Sequence, residues 1–110
     1  MAMMSFNAPG EREKSLWLVR KESNPNHSQW YIDRFKAMEA EGNDMAGESR
    51  LVNALASRGA KILDAGSGPG RVGKQLHALG HRVTGVDIDP ELIEEARRVC
   101  PDATWITADL

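Results

Sequence analysis

Lys61-Ile62-Leu63-Asp64-Ala65-Gly66-Ser67-Gly68-Pro69-Gly70 is the stretch on which the reading of this chain turns. Its first half is a short apolar run that ends on an acid, and its second half sets glycine at alternate positions, so a strand opens into a turn. Arg71 to Leu79 follows with Val72, Leu76 and Leu79 at helical spacing, and Gly80 closes it. A ligand that lies against the end of a strand needs backbone without side chains, because a Cβ would hold it off; Gly66, Gly68 and Gly70 meet that need. The first N–H groups of the helix beyond favour a carboxylate or a phosphate.

Downstream the alternation continues. His81 to Asp87 reads as a second strand through Val83 and Val86, Asp89 is placed to cap a helix, and Pro90 fits its first position. Leu92, Ile93 and Ala96 form the apolar face of that helix, Glu91 suits its first turn, Arg97 and Arg98 its last, and Glu94 is spaced to pair with Arg98. Pro101 ends it, and Ala103 to Thr107 supplies a third strand with Trp105 in its packing face. Strands alternating with helices of this length imply parallel pairing through right-handed crossovers. The expected fold is α/β, the first half of a doubly wound parallel sheet preceded by helices.

Upstream, Asn24-Pro25-Asn26 marks a turn, and from Ser28 onward Tyr31, Ile32, Phe35 and Met38 recur at helical spacing until Gly42-Asn43. Asp44 is expected to cap a further helix with Leu51, Val52, Leu55 and Ala56 as its stripe and Gly59 as its stop. The organisation is therefore an N-terminal arm or short element over 1–24, including Leu16-Trp17-Leu18-Val19, a helical segment over 25–58, and the half-sheet over 59–110.

Composition bounds the function. The 110 residues are 41% hydrophobic and 27% charged with a net charge of −2, so no general basic field attracts a nucleic-acid backbone and nucleic acid is not expected as a partner. The apolar runs fall far short of the ~20 residues that cross a bilayer, and no apolar leader follows Met1, so no membrane association and a cytoplasmic location are expected. The single cysteine, Cys100, agrees with a reducing compartment and reads as a helix-end packing residue. His27 and His77 stand alone, and no metal site is expected.

Two details narrow the ligand. An acid, Asp87, follows the loop by about 20 residues, the separation that puts a carboxylate beside a ribose diol. In a dinucleotide fingerprint the third glycine comes three positions after the second, but that position is Arg71 here, and the acid Asp64 precedes the loop. A carboxylate there repels a pyrophosphate and receives an ammonium group, so the pocket suits a nucleoside that carries an amino acid.

Ile62 to Gly70 resembles motif I of the class I S-adenosylmethionine-dependent methyltransferases. Gly85-Val86-Asp87-Ile88-Asp89-Pro90 resembles their second motif, and Ala108-Asp109-Leu110 their third. The resemblance covers the second half of the chain and implies a Rossmann-like domain that binds S-adenosyl-L-methionine. Carried over by position, it implies that Asp64, Gly66, Ser67, Gly68 and Gly70 hold the methionine portion, Asp87 the ribose hydroxyls, Ile88 the adenine face, and Asp109 the adenine amino group with Leu110 beside it. In this fold a helix before the first strand commonly roofs the pocket, which makes Tyr31 and Arg34 further contacts, and Arg71 is placed to approach the cofactor carboxylate if it is not simply solvated.

The activity implied is methyl transfer to a small-molecule acceptor. A non-catalytic cofactor-binding or regulatory module, or a nicotinamide-dependent oxidoreductase, are the alternatives. No catalytic residue is nominated, because the resemblance implies that the acceptor is read largely by the segment after a fourth strand and by later insertions. A complete domain of the family carries more strands than these, so the chain is expected to be part of a longer protein. As a free half-sheet with an exposed edge it is expected to be poorly stable, and its oligomeric state is left open.

Overall fold

The computed structural model describes residues 15–110. Three parallel strands, β1 (Lys61–Ala65), β2 (Arg82–Asp87) and β3 (Thr104–Thr107), form a sheet of order β1-β2-β3. The register sets Lys61 beside Arg82, Asp64 beside Gly85, and Gly85 beside Trp105, which brings the carboxyl ends of all three strands to one edge. The crossovers are α4 (Arg71–Ala78) and α5 (Pro90–Val99). Because both steps run in the same direction with the same hand, both helices lie on one face of the sheet.

Trp105 fills the centre of that face. It packs with Ile93, Ala96 and Cys100, and its indole nitrogen donates to the Cys100 carbonyl at 2.8 Å, so the one polar atom of the ring is satisfied inside the core. Room for the indole comes from absent side chains. A Cβ on Gly85 would lie 2.3 Å from the ring and one on Gly73 2.7 Å from it. The opposite face is barer, with Leu63 64% and Ile106 43% exposed.

Ahead of the sheet lie α1 (Leu16–Ser23), α2 (His27–Ala40) and α3 (Gly47–Leu55). The expected arm thus contains a helix over its second part, and its residues 1–14 lie outside the described residues. Ile32 is the deeply buried apolar residue of α2, with Tyr31, Phe35 and Met38 half-buried around it.

Three local expectations are corrected. Asp44 does not cap α3: Ala46 holds that position, while the Asp44 carboxylate accepts from the Ala46 N–H at 3.0 Å and pairs with Arg50, which pulls its pKa down to about 2. The side chain closes a local turn before the helix can use it. In α3, Ser49 is the buried residue; of the expected apolar stripe Val52 and Ala56 are half-buried, whereas Leu51 and Leu55 are exposed. Arg98 pairs with Glu95, one helical step nearer than Glu94, at 2.6 and 2.9 Å. Glu95 is the better partner because it is less exposed and is also approached by Lys36 at 3.4 Å.

His81, expected as the first residue of the second strand, is instead a buried joint just before it. Its Nδ1 accepts from the Ala60 N–H at 3.1 Å, which places the ring proton on Nε2, 2.8 Å from the Asn53 side-chain oxygen. One neutral imidazole thereby ties α3 to the start of the sheet.

Candidate functional site

The glycine loop is folded back onto the end of β2. The N–H groups of Gly66 and Ser67 both donate to the Val86 carbonyl, at 2.7 and 2.9 Å, so they brace the turn. Gly68 donates to Asp87 Oδ2 at 2.9 Å, and the Asp89 N–H donates to Oδ1 at the same distance. Asp87 is thus fixed by one donor on each oxygen. A carboxylate has about four acceptor positions, so each oxygen keeps one for a further donor.

Gly70 starts α4 with φ 89°, a left-handed conformation that other residues resist. A Cβ there would also lie 3.0 Å from that of Ala96 and 3.1 Å from the Trp105 ring. Ligand access alone does not account for this glycine; packing on α5 requires it as well.

Asp64, next to last in β1, is half-buried, and its Oδ2 has no hydrogen-bond partner among the described residues. Burial raises its pKa, the nearby charges of Glu48 and Asp87 raise it further, and Arg71 opposes them. A buried acceptor without a donor is costly, and an ammonium group beside it would remove that cost. The Ser67 hydroxyl is likewise buried without a partner. These orphaned oxygens at the strand ends fit a polar ligand that carries donors.

Tyr31 of α2 reaches over the loop, its ring edge 4.0 Å from where a Cβ of Gly68 would stand. Its hydroxyl pKa is raised by burial and by Asp87 and Glu48, with Arg71 pulling the other way, so the ring lies among the same charges as Asp64. Arg71 is not simply solvated. It donates to the Met45 carbonyl at 2.6 Å and to Glu48 at 3.0 Å, and it lies over the Phe35 ring at 5.4 Å. Arg34 points elsewhere, over Trp30 at 5.5 Å. Ile88 is half-buried beside Asp87; Asp109 and Leu110 are exposed beyond the last ladder bond, from the Ala108 N–H to the Asp87 carbonyl at 2.9 Å.

The residue whose importance the sequence reading missed is Asp89, expected only as a helix cap. It is fully buried, caps α5 through the Glu91 N–H, and also accepts from Trp17, Lys21 and Ser28. Its cap position was legible, but nothing local points to partners 61 to 72 residues away.

A cleft of about 580 Å³ opens instead around Lys61, Ile62, His77, Arg82 and Thr104, at the amino ends of the strands. Ligands of open α/β sheets bind at the carboxyl ends, and the orphaned acceptors lie there. We therefore place the site at the glycine loop. Among the described residues no cluster has the composition of a metal site, and no helix is long and apolar enough to cross a membrane.

Comparison with known proteins shows what these residues resemble. The Methyltransferase domain family matches residues 62–110. The chain is 51% identical to a TehB-like SAM-dependent methyltransferase from Corynebacterium glutamicum, superposing with a TM-score of 0.76 over 78% of this chain and 47% of that one. Residues 62–110 belong to the class I S-adenosylmethionine-dependent methyltransferase family. They form an N-terminal part of its Rossmann-like fold.

A second solved structure, DesVI of Streptomyces venezuelae, is 25% identical with a TM-score of 0.59, over 72% of this chain and 36% of that one. Among curated proteins, the Ubiquinone biosynthesis O-methyltransferase of Xanthomonas campestris pv. campestris is 30% identical over 89 residues, 70% of this chain and 37% of that protein. The chain therefore spans less than half the length of these methyltransferase relatives. The match to the methyltransferase domain begins at Ile62, at the strand that leads into the glycine loop.

Proposed function

We propose that this chain supplies the cofactor-binding part of an S-adenosylmethionine-dependent methyltransferase that acts on a small-molecule acceptor. The observation that carries the proposal is the buried, unpartnered Oδ2 of half-buried Asp64 beside a turn with glycine at alternate positions. An amino-acid ammonium answers that carboxylate, and a pyrophosphate does not. The curated relative is an O-methyltransferase of ubiquinone biosynthesis, which favours an oxygen nucleophile on a small molecule as the acceptor.

In this reading Asp64 and the loop residues Gly66, Ser67, Gly68 and Gly70 take the methionine end. The free acceptor positions on Asp87 take the ribose hydroxyls, Ile88 lies against adenine, and Asp109 and Leu110 close the adenine end. When bound, the cofactor supplies a methyl group on a sulfonium, already activated for displacement. The protein's part is to orient donor and acceptor and to keep water out, with Tyr31 covering the loop. No side chain among the described residues is assigned as a general base.

Calorimetric titration of the full protein with S-adenosylmethionine, S-adenosylhomocysteine and NAD tests the ligand. The first two are expected to bind, and Asp87→Ala is expected to weaken them by about tenfold or more, the worth of hydrogen bonds to a charged group. Binding of NAD alone overturns the ligand assignment. Unchanged affinity in the Asp87 variant removes that residue from the ribose site. Transfer of a labelled methyl group into extracted small molecules, against protein and RNA fractions, tests the acceptor class.

A further inference from the structure

We propose that Asp89 is a positioning residue for the cofactor pocket: it straps α1 and α2 across the glycine loop and so keeps Tyr31 over Gly68. The proposal rests on the cofactor site described above and adds to it a residue that touches no ligand.

A helix cap needs one acceptor, and the Asp89 Oδ1 contact with the Glu91 N–H at 2.9 Å supplies it. The carboxylate carries three further donors. Lys21 reaches Oδ1 at 2.6 Å, Trp17 Nε1 reaches Oδ2 at 2.5 Å, and the Ser28 hydroxyl also donates to Oδ2. All three come from α1 and α2, and capping requires none of them. Burial opposes the charged form of Asp89, but the bonds from Lys21, Ser28, Trp17 and the Glu91 N–H outweigh it and hold the carboxyl below its ordinary range.

These contacts close a circuit around the loop. The Trp17 ring meets Tyr31 edge-on, with centroids 5.2 Å apart, and Tyr31 lies over Gly68. Gly68 donates to Asp87, which in turn accepts from the Asp89 N–H, and the Asp89 side chain returns to Trp17. Roof and floor of the pocket therefore meet at Asp89. Apolar burial contributes little here: among the described residues α1 has no buried member, Leu16 and Val19 are 64% and 41% exposed, and a second polar tie, Lys21 to Glu91 at 3.3 Å, starts from the same lysine. Without the charged anchor, α1 and the start of α2 lose their fixed place and Tyr31 no longer shields the loop.

The test uses the full protein with Asp89→Asn, which preserves the cap because Asn is as good there as Asp, together with Lys21→Met, Lys21→Arg and Trp17→Phe. Dissociation of S-adenosylhomocysteine is expected to speed up by about tenfold in Asp89→Asn and Lys21→Met, the equivalent of one hydrogen bond to a charged group, and to recover in Lys21→Arg. Methyl transfer should lose affinity for the cofactor with little change in kcat. In the ligand-free protein, hydrogen exchange should rise in α1 and α2 and stay unchanged in the three strands. Unaltered dissociation in both Asp89→Asn and Trp17→Phe, or unaltered exchange in α2, overturns the strap. Should the wild-type protein bind no S-adenosylhomocysteine, the cofactor reading fails, and exchange in the ligand-free variants still decides whether Asp89 holds the helices.

Discussion

Ile93, Ala96, Cys100 and Trp105 hold the sheet side together by burying apolar surface, whereas α1 to α3 are joined to it largely by polar side chains. Besides the Asp89 anchor, Arg71 and Gln75 both donate to the Met45 carbonyl, at 2.6 and 3.1 Å, Ser49 donates to Gln75 at 2.7 Å, and His81 meets Asn53. Burial of apolar area is not directional, so it makes surfaces adhere without saying in what orientation. Hydrogen bonds are directional. The helices that cover the loop are thus attached by contacts that specify position, and those contacts, unlike the core, respond to charge.

The largest effect should come from the sheet side. In Gly85→Ala a Cβ would stand 2.3 Å from the Trp105 ring and 2.9 Å from Ser67 Cβ, so ring and loop must both move. Overpacking of this kind costs about 3 kcal/mol, and denaturant titration should show it as an earlier midpoint; a change near zero would mean that the core is looser than the glycine contacts imply. Asp64→Asn should act on the site with the opposite sign. It removes a charge that burial penalises, so the ligand-free protein should gain about 1 kcal/mol while S-adenosylmethionine binds more weakly. A gain in stability with full affinity would leave Asp64 without a ligand role.

Acid should separate the two regions. The folded pKa of Asp89 is depressed, so its contribution is complete above the unfolded value of about 3.9 and is lost as pH falls through the lower folded value. Asp64 is raised, so protonation in the folded state begins above its ordinary value and relieves the strand end as pH falls. Regional hydrogen exchange from neutral pH down to pH ~3 should therefore show α1 and α2 loosening while the strands hold, and simultaneous loosening would break the contrast. The smallest effect belongs to the α5 surface: Glu95→Ala should cost about 0.5 kcal/mol and Glu94→Ala less, measured by the same denaturation. An equal cost at Glu94 would restore the pairing that simple helical spacing suggested.

What the sequence made legible follows the range of each interaction. Lys61 to Gly70, Asp87 and the Asp89-Pro90 cap are local patterns, and the order of strands and crossovers follows from them together with chain handedness. The joints were not legible, because their partners are distant along the chain. Asp89 reads as a cap from Pro90 and Glu91, but Trp17, Lys21 and Ser28 carry no mark of where they bond. Asp44 misled for a related reason: an Asx turn to Ala46 and the Arg50 side chain together occupy the carboxylate, and spacing alone does not rank them above a helix cap. Arg71 was read as a solvated side chain or a ligand contact, since neither Met45 nor Phe35 is near it in sequence.

The Trp105 indole occupies room that Cβ atoms at positions 70, 73 and 85 would need. The ring therefore ties these positions together sterically: a side chain at 73 meets the indole first, so a smaller residue at 105 opens room there. It does not free the other two, because Gly70 keeps its left-handed backbone and its contact with Ala96, and Gly85 still faces Ser67. One indole thus makes the cost of a substitution at 73 depend on which residue stands at 105.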